Sequence, residues 1–309
     1  MPLYEATPLR QSPRLNAQLG RTITFKMDCH QPTRSFKLRG MDVLIREAVA
    51  AGKTKFVASS GGNAGYSAAY VCRHLGVGLR VYVPTTTPAH MRALIASEGA
   101  ELIVHGDTWN AANAEALAYL AAENAHYVPP FDDPALWRGH ASMIHECAAE
   151  MAEPDLVVLC VGGGGLLCGV LAGMEAVGWQ RAKVLALETE GAGSFHAARA
   201  AGKVVSLDRI DTLARSLGSL HVMQETLDWA ARRPISSALV SDEAAFRAAR
   251  AFLDDFQVMV EIACGASLAS VYVQPDLLGD AQNVLVIACG GALMDGDQYA
   301  ELNARWPKG

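Results

Sequence analysis

The sequence lacks the patterns that would place it in several large functional classes. Its seven cysteines (Cys29, Cys72, Cys147, Cys160, Cys168, Cys264 and Cys289) form no Cys-x-x-Cys pair, and several lie in apolar stretches. That excludes a disulfide framework or a zinc ribbon and predicts reduced thiols in a cytosolic protein. The nine histidines include no His-Glu-x-x-His and no Cys/His cluster with ligand spacing, so no metal site of that kind is expected. No Lys/Arg run offsets the net charge of -6, which argues against a nucleic-acid partner. The opening residues, MPLYEATPLRQSPRLN, carry prolines and charges where a signal peptide needs an apolar core. No internal repeat or low-complexity linker is found. The chain ends soon after ACGG, so no regulatory domain and no control by a distal amino acid are expected. One uncharged stretch, Leu156 to Met174, is long enough for a membrane helix. Four consecutive glycines inside it, Gly162 to Gly165, are hard to keep helical. Strand, loop and helix start fit it better.

What is present is an ordinary globular balance, 51% hydrophobic and 19% charged over 309 residues, enough to bury a large core in two lobes. Short apolar runs alternate with longer alanine-rich amphipathic stretches, the mark of βα units around parallel sheets. Strands are predicted at 55–59, 79–84, 101–106, 156–161, 183–188 and 283–290. Helices are predicted near 38–51, 63–75, 88–98, 109–124, 137–151, 166–177, 193–201 and 242–253. The proline-rich passage VPPFDDP at 128–134 marks a domain change. The predicted class is α/β with two lobes, each an open, mostly parallel sheet flanked by helices. One lobe spans 40–135; the other joins 1–39 to 136–309, with the active site between them.

Four segments carry chemistry. VGGGGLLCG (161–169) follows a strand and opens a helix. Free glycine amides and the positive helix end together make a phosphate cradle. It is not a Walker A loop, since Leu166 and Leu167 follow Gly165, and its glycine spacing does not fit a dinucleotide fingerprint. Glu188, ending the next strand, sits where a ribose-binding acid would be, which keeps a nicotinamide enzyme as a weak rival. In TRSFKLRG (33–40), Lys37 is either an ordinary surface cation at a helix start or a partly buried amine made nucleophilic by a lowered pKa. The residues alone leave both open. SSGGNAG (59–65) can be an anion nest suited to a carboxylate or only a glycine turn at a helix cap. IACGG (287–291) ends a strand in a thiol, Cys289, which alone reads as a small buried hydrophobe. Taken in order, a bound phosphate, a bound carboxylate and a covalently held aldehyde describe pyridoxal phosphate with an amino acid.

At these residues the chain resembles the serine/threonine dehydratases of the second fold type of pyridoxal-phosphate enzymes, the tryptophan synthase β-like fold, and is most similar to the L-serine dehydratase group. The resemblance runs nearly end to end through KMDCHQPTRSFKLRG, SSGGNAG, PPFDDPALWRGHAS, VGGGGLLCGVLAG, LETEGAGSFHAA, SLGSL, ACGASLASVY and ACGG. It implies a homodimer that releases ammonia from L-serine or L-threonine, with Lys37 holding the cofactor as a Schiff base and shuttling the substrate's α-proton. Phe36 and Ser216 would flank the cofactor ring, and Asn63 would bond its hydroxyl. Gly162, Gly163, Gly164, Gly165 and Leu166 would hold its phosphate, while Cys289 would face its ring nitrogen. Ser60, Gly61, Gly62, Asn63 and Ala64 would take the substrate carboxylate. A monovalent cation such as K+ would sit at Glu188, Ala192, Leu217 and Ser219, mainly on backbone oxygens, which gives Glu188 a role other than ribose binding.

The sequence departs from that pattern at Arg34, where glycine is usual, at Ile262 in place of proline, and at Ala292 in place of asparagine. Gly61 stands where some members have alanine. These departures leave the cofactor chemistry intact and the substrate open. β-Replacement, racemisation or D-amino-acid elimination, and a non-catalytic binding protein on the same fold, are the alternatives.

Overall fold

The computed structural model describes residues 1–308. In chain order its main elements are β1 (Leu9–Gln11), α1 (Pro13–Leu19), β2 (Thr22–Lys26), α2 (Lys37–Ala50), β3 (Lys55–Ala58), α3 (Asn63–Leu75), β4 (Gly78–Val83), α4 (Ala89–Ser97), β5 (Glu101–Val104), α5 (Trp109–Glu123), β6 (His126–Tyr127) and α6 (Pro134–Glu150). There follow β7 (Leu156–Cys160), α7 (Gly165–Ala176), β8 (Lys183–Thr189), α8 (Ser194–Ala201), α9 (Gln224–Arg232), β9 (Ile235–Val240), α10 (Asp242–Phe256), α11 (Ile262–Tyr272), β10 (Asn283–Ile287) and α12 (Gly296–Arg305).

Two sheets organise these elements. The larger has the order β1-β2-β10-β7-β8-β9 and the smaller β5-β4-β3-β6. Only the β1–β2 pair is antiparallel; the other strand pairs of both sheets run parallel. The central strands β7 and β10 read as unbroken apolar runs because helices cover both faces. One large core lies on the six-stranded sheet, and two smaller clusters lie on the four-stranded one. All six predicted strands and all eight predicted helices form. The uncharged stretch from Leu156 resolves into β7, a glycine loop and α7. No described helix is long and apolar enough to cross a membrane.

The sequence reading missed four strands, β1, β2, β6 and β9, and four helices, α1, α9, α11 and α12. Strands β1 and β6 are three and two residues long, too short for an alternating pattern to register. In α11 every residue from Ile262 to Val271 is buried. It therefore has no solvent-facing polar side, its two serines being buried on backbone carbonyls, and a short, wholly buried segment gives no helical period.

A buried ion cluster ties the N-terminal arm to the helices beneath the smaller sheet. Arg39 on α2 reaches both oxygens of Asp28, at 2.7 and 2.9 Å, and both oxygens of Glu146 on α6, at 2.6 and 2.8 Å. Lys26 of β2 adds a 2.5 Å contact to Glu146. The Arg39 and Asp28 side chains are fully buried, so their charges persist only because each meets an opposite one.

Candidate active site

The C-terminal ends of β3, β7 and β10 and the start of α2 converge on one cleft. Helix α7 begins on Gly164, at φ +104°, a conformation open to glycine but strained for other residues. No side chain caps α7, nor α3, which begins after Gly62. By contrast Ser12, Thr108, Asp133, Ser241 and Asp295 cap α1, α5, α6, α10 and α12. Helices α2, α4, α9 and α11 also lack a side-chain cap, but only at α3 and α7 do glycines lead into the uncapped amides, which leaves them open to an anion.

Lys37 opens α2 and is half-buried. Its Nζ donates to the Pro130 carbonyl at 2.6 Å and stands 5.1 Å from the centre of the Phe36 ring. Burial pushes its pKa down to about 8, opposed by the neighbouring Cys289, Cys160 and Glu261. That is the nucleophilic alternative of the two readings left open for this lysine. The next residue, Phe131, lies directly over the glycine loop. A Cβ on Gly163 would come within 2.5 Å of its ring, and one on Gly165 within 2.9 Å of its carbonyl. The 130–131 peptide thus joins the amine to the phosphate cradle. The sequence reading saw this segment only as a boundary and a family motif.

The other predicted residues are placed as follows. Asn63 is buried at the start of α3, with Ser60, Gly61 and Gly62 half-buried before it and Ala64 buried behind. Its Oδ1 accepts from the Ala292 amide at 2.8 Å. Cys289 is buried, with its Sγ 3.5 Å from that of Cys160. Ser216 donates to Glu261, whose two oxygens also accept from Asn63 Nδ2 at 3.1 Å each and from the Leu293 amide at 3.1 Å. Glu261 was not singled out in the sequence. It lies beside Ile262, where only the missing proline drew attention. A cavity of about 370 Å³ opens over Ser216, Glu261 and Leu293 and is walled on the other side by Thr86 and His90. Lys37 and the glycine loop lie outside that lining.

Glu188 is the penultimate residue of β8, and its carboxylate accepts from the Phe195 and His196 amides at 2.8 Å each. It therefore caps α8, and burial pushes its pKa up to about 7. Ala192 and Leu217 are buried nearby in short 3-10 turns, and Ser219 Oγ donates to the His221 carbonyl at 2.6 Å. All seven cysteines are free and buried. Among the described residues no group of three or more His, Cys, Asp or Glu side chains is arranged to hold a metal.

Comparison with known proteins identifies the family. The family model for pyridoxal-phosphate dependent enzymes matches residues 1–290. A human L-serine dehydratase/L-threonine deaminase is 43% identical over 302 residues, covering 94% of this chain and 92% of the human protein. A human serine dehydratase-like protein is 40% identical, covering 94% and 91%. The crystal structure of a fungal L-serine ammonia-lyase from Rhizomucor miehei superimposes with a TM-score of 0.94 at 33% identity, covering 98% of this chain and 99% of the fungal one. The architecture is that of the second fold type of these enzymes. Matched over almost its whole length, the chain belongs to the family of pyridoxal-phosphate dependent enzymes.

Proposed function

We propose that the protein is an ammonia-lyase that converts L-serine to pyruvate and ammonia, and L-threonine to 2-oxobutanoate and ammonia. The observation that carries this reading is Lys37, an amine with a depressed pKa joined through Pro130 and Phe131 to an uncapped glycine loop. The residues fit pyridoxal phosphate. A desolvated amine suits its aldehyde, free helix amides suit its phosphate, and glycines leave room for close approach.

Bound pyridoxal phosphate supplies the electron sink for charge developing at the substrate Cα. The amides of Gly162, Gly163, Gly164, Gly165 and Leu166 would hold its phosphate. Phe36 and Ser216 would flank the ring, and Asn63 would bond the ring hydroxyl. Ser60, Gly61, Gly62, Asn63 and Ala64 hold the substrate carboxylate, which fixes the Cα–H bond relative to Lys37. The Lys37 amine, neutral in a large share of molecules near pH 8, takes the α-proton. Cys289 would face the ring nitrogen as a neutral thiol. Its hydrogen bonds to Cys160 and Cys264, and then its burial, push its pKa well above the ordinary thiol range. A neutral partner would hold no proton on that nitrogen, which would temper the electron sink that the cofactor supplies.

The same reading takes 40–135 as a small lobe carrying the substrate loop, and 1–39 with 136–309 as the large, cofactor-binding lobe. A monovalent cation, K+, is assigned to Glu188, Ala192, Leu217 and Ser219. The protein is assigned to the cytoplasm, in keeping with seven free thiols, and to a homodimer. Ammonia and 2-oxoacid release from L-serine, L-threonine and D-serine, with and without K+, tests the activity. Release from the L-amino acids is expected. Racemised product without ammonia, or release from D-serine alone, would overturn it.

A further inference from the structure

Glu261 is a buried carboxylate that caps no amide of its own helix and, though its charge is felt by Lys37, makes no direct ion pair. It occupies the N-cap position of α11, where an acidic side chain ordinarily turns back to the first amides, yet it makes no such bond. Among the described residues it forms no ion pair with Lys, Arg or His. It is only 5% exposed, and burial raises its pKa against the pull of its donors. An unpaired carboxylate in such a place costs several kcal/mol unless donors surround it. The donors present are Asn63 Nδ2, Ser216 Oγ and the Leu293 amide.

Space for the group is provided from the opposite side. Gly291 has φ +126°, and a Cβ there would lie 2.0 Å from Glu261 Oε2. Any side chain at 291 would displace the carboxylate. The Asn63 amide is then fixed at both ends. Its Oδ1 must accept from the Ala292 N–H, so its Nδ2 must face Glu261. Nδ2 meets both carboxylate oxygens of Glu261, at 3.1 Å each. Asn63 comes from α3, beside the small sheet, and Ala292 and Leu293 pack against the same cluster, whereas Glu261 and Ser216 adjoin Ile262 and Leu217 of the large core.

We propose that Glu261 is a positioning residue that sets the orientation of Asn63 and Ser216 and so builds the ring-binding part of the site across the two sheets. The proposal rests on the reading of Asn63 and Ser216 as cofactor contacts. It assigns Glu261 no contact with substrate.

A double-mutant cycle on the holoenzyme tests it, comparing wild type, Glu261→Gln, Asn63→Ala and the double variant. Cofactor affinity is followed by fluorescence quenching, with circular dichroism of the bound cofactor and steady-state kinetics on L-serine. Glutamine keeps the volume but sets an amide N–H against one of the three donors. The single change should weaken cofactor affinity by about 10- to 100-fold, as loss of an outer supporting contact does. Because part of the effect of Glu261 runs through Asn63, the loss in the double variant should be clearly smaller than the product of the two single losses, with the remainder carried by Ser216. Multiplicative losses, or a Glu261→Gln protein with wild-type affinity and dichroism, would overturn the proposal. If Glu261→Gln does not fold, the same cycle is run with Glu261→Asp, whose carboxylate is one methylene short, with the same criteria. A wild-type protein that binds cofactor but releases no ammonia defeats the activity reading instead, and leaves the affinity cycle to judge Glu261.

Discussion

Cys160 and Cys289 hold their sulfur atoms 3.5 Å apart at the C-terminal ends of adjacent parallel strands. The register that pairs Val286 with Val158 brings these strand ends side by side. Both thiols are buried, and Cys289 stays protonated because its neighbours and its burial disfavour a thiolate. Cys289→Ala is expected to retain the cofactor while altering its absorption spectrum and the split between elimination and racemisation. Spectra and chiral analysis of the recovered amino acid check this. No change in either would reduce Cys289 to packing.

Lys37→Ala should abolish the visible band of the bound cofactor and lower ammonia release by roughly 10³-fold or more, the scale of a lost positioned acid–base group. An intact band in that variant would sink the assignment of Lys37.

The same lysine gives the apoprotein a pH signature. Its pKa falls from 10.5 in the unfolded chain to about 8 in the fold. Between those values the unfolded chain binds more protons than the folded one. The Lys37 contribution to stability therefore rises with pH across that window and is least favourable below pH 8. Replacement by methionine removes the penalty, and Lys37→Met apoprotein should be more stable than wild type by about 3 kcal/mol at pH 7. The difference should vanish above pH 10.5. Urea unfolding of both proteins at several pH values measures it, and a difference independent of pH would contradict the burial of the amine.

Arg34 has φ +60°, a left-handed conformation that costs a non-glycine residue about 1–2 kcal/mol. Glycine relieves this but gains freedom in the unfolded chain, so Arg34→Gly should stabilise by about 0.5–1 kcal/mol net. Chemical denaturation reads this directly. The guanidinium is exposed, so no buried contact is lost.

Arg39 is the opposite case. Arg39→Met strips Asp28 of its cation, leaving it the Thr7 hydroxyl, and leaves Glu146 with Lys26 and the Thr7 amide. A loss of about 3–5 kcal/mol is expected, as for one member of a buried ion pair. A much smaller loss in urea unfolding would mean that the cluster relaxes or takes up water.

The elements with clear periodicity were legible in the sequence. Helix α3 forms over 63–75, the range its pattern indicates, and the glycine run becomes a loop between β7 and α7. Strand β9 was not legible, since serines at 236 and 237 break its apolar run and it lies at a sheet edge. In the site, the loops that signal themselves by glycine were readable. Glu261 and the Pro130 carbonyl were not. Their roles come from partners 198 and 93 residues away in the chain, and a backbone carbonyl leaves no mark on residue identity.

The segment that leads into Lys37 is stitched to the one that follows Cys289. The Phe36 amide donates to the Cys289 carbonyl at 3.1 Å, and the Gly291 amide to the Arg34 carbonyl at 2.7 Å. The amine and the thiol therefore ride on one rigid piece. Residues 60–64 hang from a different sheet. The bond from the Ala292 amide to Asn63 Oδ1 is the stitch that ties that nest to the piece bearing amine and thiol, so the three groups keep one common reference point.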